Sequence, residues 1–179
     1  MGGVAKGLIE VGGRTILDAQ LDVLRSLFGE ILLIANDPDP YRRFGLPIAG
    51  DEIPGCGPLG GLHAALRAAR AQRVFLCACD MPALSADAVR LVADADPAAD
   101  VVVPVAGGRP EPLHARYAHA CLPAIERALD AGRYKMAAFF SDVRVLEIPE
   151  SDLRRIDPTL SFLRNVNTPE DLTPRGDNR

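Results

Sequence analysis

Two apolar runs in this chain end in the same way. Residues 31–35 stop at Asn36-Asp37-Pro38, and residues 74–79 stop at Asp80-Met81-Pro82. An unalternating apolar run reads as a strand buried on both faces, and a proline that cannot join the ladder marks where it ends. Such strands need helices over both faces of their sheet, and the intervening sequence supplies them. Thr15 reads as an N-cap ahead of Leu17, Leu21, Leu24 and Phe28, which recur at helical spacing up to Gly29. Leu62, Leu66 and Ala69 form a second stripe, Val89 and Val92 behind Ser85 a third, and Leu122, Ile125 and Leu129 a fourth. Further strands are expected over 8–11, 47–49, 100–105, 112–117 and 143–148. This alternation predicts an α/β fold with a mostly parallel sheet.

At 179 residues the chain suits one domain, expected over 1–172, with the polar residues 173–179 as a frayed tail. Hydrophobic residues make up 48% and charged ones 25%, and no apolar run approaches the roughly 20 residues needed to span a bilayer. No leader-like apolar stretch follows the first residues, so a cytoplasmic location is expected. The net charge of −4, with no basic cluster, argues against nucleic-acid and membrane partners. Cys56, Cys77, Cys79 and Cys121 include no C-x-x-C pair and read as small core residues, with Cys77 and Cys79 on one strand face.

Four polar residues fall at strand ends or in adjoining loops: Lys6, Asn36, Asp51 and Asp80. Taken alone, Asp80 suits a turn or N-cap as well as a ligand. In a doubly wound sheet, however, the carboxyl ends of the strands share one crevice, which would gather a cation, an amide and two carboxylates. Phosphate chemistry needs that mixture. A carboxylate can hold Mg²⁺, lysine offsets phosphate charge, and glycine amides approach an anion closely. Glycines are dense at residues 2–7 and again at 54–61, where the loop feeds a helix and an anion could meet backbone N–H groups. His63 and His119 fall on expected helices. His114 falls in a strand, where a lone histidine more often serves structure than substrate.

Four stretches in order, MGGVAKGL, GPLGG, CDMP and NVNTPEDL, resemble the molybdenum cofactor guanylyltransferases of the molybdopterin nucleotidyltransferase family. The resemblance covers essentially the whole chain. It implies a Rossmann-like three-layer sandwich, Mg²⁺ as cofactor, and transfer of GMP from GTP to molybdopterin with release of pyrophosphate. Lys6 matches the family's triphosphate-contacting lysine, Asn36 and Asp51 match guanine-nucleotide positions, and Asp80 matches the magnesium-binding aspartate. Asn165 and Asn167 match an Asn-Val-Asn implicated in the molybdopterin side of the site or its metal; turn and capping duty ahead of Pro169 is the other reading. Molybdoenzymes or their chaperones follow as possible partners. A cytidylyltransferase of the same superfamily and a non-catalytic molybdopterin-binding module are the competing readings. The family opens with a strand and a Leu-Ala-Gly-Gly loop, of which Met1-Gly2 corresponds only to the end. The expectation is therefore a missing first strand, reflecting either a misplaced start codon or a weak or inactive enzyme, and the genomic sequence just upstream decides between them.

Overall fold

The protein is described from a computed structural model, over residues 6–166. Lys6–Leu8 forms a 3-10 turn. A short hairpin follows, β1 (Glu10–Val11) and β2 (Arg14–Thr15), joined through Gly12 and Gly13 at positive φ. Thr15 then starts α1 (Ile16–Arg25) with a capping box: its hydroxyl accepts from the Asp18 N–H, and the Asp18 carboxylate accepts from the Thr15 N–H. β3 (Leu33–Ile34) pairs in parallel with β4 (Ile48–Ala49). α2 (Gly57–Ala68) leads to β5 (Arg73–Cys77), and α3 (Ala86–Ala93), capped by Ser85, leads to β6 (Val101–Ala106). β7 (Arg109–Pro110), β8 (His114–Ala118), α4 (Leu122–Asp130), β9 (Val145–Ile148) and α5 (Glu150–Ile156) complete the described chain.

The expected mostly parallel sheet is instead mixed. β6 and β9 run in parallel, but β8 lies antiparallel between β5 and β6. The cause is the Gly107–Gly108 turn, where both residues take positive φ and fold β7 back on β6 as a tight hairpin. The chain therefore returns down the sheet instead of crossing over it. Helices cover both faces. Val101, Val103, Ala115 and Tyr117 pack beneath α2 and α4, while Val102 packs on the opposite side with Ala88, Val92, Leu153 and Phe162.

β3 and β4 stand apart from this sheet. Leu33 and Ala35 donate to Pro47 O and Ala49 O, and Ala78 donates to Leu113 O, so the facing edges of β3 and β5 share no strand among the described residues. Between them lies a slot of about 630 Å³, walled by Leu17 and Leu21 of α1 and by Leu62 and Ala65 of α2. It explains why residues 31–35 and 74–77 are only half-buried despite their composition.

Several local expectations shift. α1 ends at Arg25, short of Gly29, and α2 already begins at Gly57, inside the glycine-rich stretch. α5 carries no apolar stripe strong enough to announce it. Cys56 and Cys121 are buried and Cys77 half-buried, all as free thiols, but Cys79 is exposed because it lies in the turn beyond β5 and not on that strand.

His114 is fully buried, edge-on to Phe75 at 5.0 Å and tilted against Phe162 at 5.5 Å. Neither ring nitrogen has a protein partner among the described residues. Burial pushes its pKa down from 6.5 to about 4. The unfolded chain therefore binds the extra proton first, and stability present above pH 6.5 is lost as the pH falls towards 4, by on the order of 3 kcal/mol. His114→Leu is expected to flatten the urea-unfolding free energy across that window. An unchanged acid limb in this variant would assign the loss to other groups.

Candidate active site

The turn that follows β5 carries Asp80 three residues past the strand, beyond the strand-end position that the apolar run suggests. Lys6 reaches it from the 3-10 turn and donates from Nζ to Asp80 Oδ2 at 3.1 Å. Gly7 makes this approach possible, since a Cβ there would come within 3.0 Å of Cys79 Cβ. The lysine side chain is 45% exposed and the aspartate side chain 13%. Asp80 Oδ1 is buried and has no protein partner among the described residues. Such an oxygen is costly to leave unpaired and is available to a cation.

A second pair joins the ends of β3 and β4. Asn36 Nδ2 donates to Asp51 Oδ2 at 3.0 Å, and the Asp51 N–H donates to Asn36 Oδ1 at 2.7 Å. The pair is packed closely. A Cβ on Gly50 would lie 3.3 Å from Asn36 Oδ1, and one on Gly60 would lie 3.6 Å from Asp51 Cγ. The Asp51 carboxylate thus rests against the N-terminal part of α2. Asn36, Asp51 and Asp80 all line the slot between β3 and β5, so one cavity is shared by the Asn36–Asp51 pair and the carboxylate that Lys6 holds from outside the lining.

Asn165 is exposed and precedes Val166, whose N–H donates to Asp80 O at 2.8 Å. Asn167, Thr168 and Pro169 lie outside the described residues. Gln20 is a residue that sequence reasoning missed. This residue is 2% exposed on α1, and its amide donates to Ala78 O at 2.8 Å and Met81 O at 2.9 Å. A polar residue inside the Leu17–Leu21 stripe was the only available signal. His114 lies in the core, as the structural reading expects.

Among the described residues no group of three or more His, Cys, Asp or Glu side chains forms a metal cage. The buried Oδ1 of Asp80, unpartnered among the described residues, fits a divalent cation held by one carboxylate, with phosphates and water completing the coordination. No described helix is long and apolar enough to cross a membrane.

The chain matches the model of the MobA-like NTP transferase domain over residues 1–145. It is 37% identical to a probable molybdenum cofactor guanylyltransferase of Pelotomaculum thermopropionicum, across 95% of this chain and 83% of that protein. It is 36% identical to the molybdenum cofactor guanylyltransferase of Desulfosudis oleivorans, across 96% and 85%. Among solved structures, molybdopterin-guanine dinucleotide biosynthesis protein A of Archaeoglobus fulgidus superposes with a TM-score of 0.78 at 27% identity, covering 96% of this chain and 91% of that one. A Thermus thermophilus 2-C-methyl-D-erythritol 4-phosphate cytidylyltransferase, at TM-score 0.68 and 19% identity over 93% and 90%, shares the fold. With a family model spanning most of its length and relatives above 30% identity that match nearly all of it, the chain belongs to the MobA-like NTP transferases.

Proposed function

We propose that this protein transfers GMP from GTP to molybdopterin. The reading rests on the guanylyltransferase relatives, and Asp80, which lines the slot and pairs with Lys6, is the observation that carries it. In the reaction, a phosphate oxygen of molybdopterin bonds to the α-phosphorus of GTP. The bond from that phosphorus to the oxygen bridging it to the β-phosphorus breaks, and the electron pair leaves with pyrophosphate. The nucleophile is already an anion, so the protein's task is to position the substrates and offset their charge.

Lys6 can release Asp80 and turn its ammonium towards the triphosphate, because nearly half of its side chain is already open to solvent. Asp80 would hold Mg²⁺ through its unpaired Oδ1. The ion supplies charge neutralisation on the phosphates when bound. Asn36 and Asp51 sit at the opposite strand ends, where the nucleotide would lie. A carboxylate there accepts from guanine N1–H and its exocyclic amine together, a donor pair that cytosine does not present. Asn165 and Asn167 are assigned to the molybdopterin side, and the cytoplasm is the compartment expected.

Purified protein supplied with molybdopterin, Mg²⁺ and either GTP or CTP is expected to release pyrophosphate and form the guanine dinucleotide with GTP alone. Preference for CTP would make it a cytidylyltransferase, and cofactor binding without turnover would make it a carrier. Either outcome overturns the proposal.

A further inference from the structure

We propose that Gln20 is the positioning residue for Asp80. This rests on the reading of Asp80 as the metal-holding carboxylate. Gln20 lies on the buried face of α1 between Leu17 and Leu21 and is 2% exposed. A buried primary amide is costly unless its donors are used. Here both N–H groups are used, on Ala78 O at 2.8 Å and Met81 O at 2.9 Å. Those carbonyls bracket Cys79 and Asp80. The carbonyl of Asp80 itself accepts from the Val166 N–H at 2.8 Å. Three of the four carbonyls from Ala78 to Met81 are thus fixed from two different elements, while the Asp80 side chain keeps one buried oxygen unpaired.

That division of labour is informative. An ordinary turn aspartate spends its carboxylate on nearby backbone N–H groups and so stabilises its own loop. In this turn the backbone is held by Gln20 and Val166, which leaves the carboxylate to hold something else. A side chain that must present one oxygen to a cation needs this kind of support, because a shift of a fraction of an ångström in the turn carries through to the ligand. Gln20 also ties α1 to the turn, so α1, the slot and Asp80 keep a fixed relation.

The test uses Gln20→Met, which keeps length and apolar volume and removes both donors. Two readouts are taken: Mn²⁺ binding in the presence of GTP, followed by loss of the free-ion electron paramagnetic resonance signal, and steady-state pyrophosphate release against metal concentration. Metal affinity is expected to fall about 10–100-fold, with kcat reduced and the KM for GTP at saturating metal little changed. Val92→Ala, a truncation on α3 within the core cluster of Val102 and Leu153, serves as a stability control and is expected to leave metal affinity at the wild-type value. Gln20→Asn, one methylene shorter, should lie between wild type and Gln20→Met, and it reads the same effect if the methionine variant does not fold. Wild-type metal affinity in either glutamine variant, or an equal loss in Val92→Ala, overturns the proposal. If Asp80→Asn binds Mn²⁺ as the wild type does, the reading of Asp80 fails instead, and the two failures are told apart by that variant.

Discussion

Asp80→Asn is expected to lower kcat for nucleotidyl transfer by about 10²–10³-fold while leaving the fold intact. The substitution keeps the shape of the side chain and removes its charge. The turn around it is held by Gln20 and Val166 through backbone carbonyls, so no part of that frame depends on the carboxylate. Lys6 loses its salt bridge to Asp80 but remains close to half exposed, where such a bridge adds little to stability. Replacing a charged group that has one buried oxygen unpaired also removes a desolvation cost. The variant should therefore melt at or above the wild-type temperature while turning over far more slowly. Pyrophosphate release and a thermal melt on the same preparation check both halves. Near-normal turnover would remove Asp80 from the reaction, and a large drop in melting temperature would make it a structural residue.

The parts of the molecule that were legible in sequence are those set by local chemistry. Thr15 with Asp18, and Ser85 before Ala86, start helices through bonds made within three residues, so a one-dimensional reading finds them. The strand β6 declares itself through three consecutive valines, Val101 to Val103, with Val105 after Pro104. What could not be read is what depends on a distant partner. Residues 112–117 look like a strand whichever way they run, and only the Gly107–Gly108 hairpin, followed by insertion beside β5, decides for antiparallel. Ala78 and Cys79 look like a continuation of β5 because small apolar residues suit a turn as well as a strand. The strand-end residues Lys6, Asn36, Asp51 and Asp80 were visible as a set, yet nothing local said that they would form two pairs. Gln20 and Arg116 were invisible for one reason: each is a polar residue whose partners lie at least 17 positions away.

Arg116→Ala is expected to destabilise the protein by about 3–5 kcal/mol, a larger loss than most single substitutions produce. In an alternating strand such a residue would ordinarily face water, but Arg116 is 3% exposed. Its guanidinium donates to four carbonyls: Ala93 O at 3.1 Å, Ala95 O at 2.7 Å, Asp96 O at 2.6 Å and Ala99 O at 3.2 Å. Ala93 ends α3, and the other three belong to the connection into β6, so one side chain on β8 closes the helix and fixes the loop after it. Truncation to alanine leaves these acceptors without their charged donor and opens a cavity beneath α3. Arg116→Lys should recover only part of the loss, because a single ammonium cannot span carbonyls that a planar fork reaches from two nitrogens. For a chain of this size the alanine variant should melt about 10 °C lower, with the lysine variant in between. The effect on chemistry should be small by comparison. Arg116 pairs with Phe75 in the middle of β5, and its hydrogen bonds point to α3 and away from Asp80. At a temperature where the variant is still folded, kcat per folded molecule should therefore stay near the wild-type value. Thermal and urea unfolding combined with turnover at low temperature separate these predictions. A destabilisation below about 1 kcal/mol would mean that water replaces the guanidinium at all four carbonyls, and would refute the role assigned to it here.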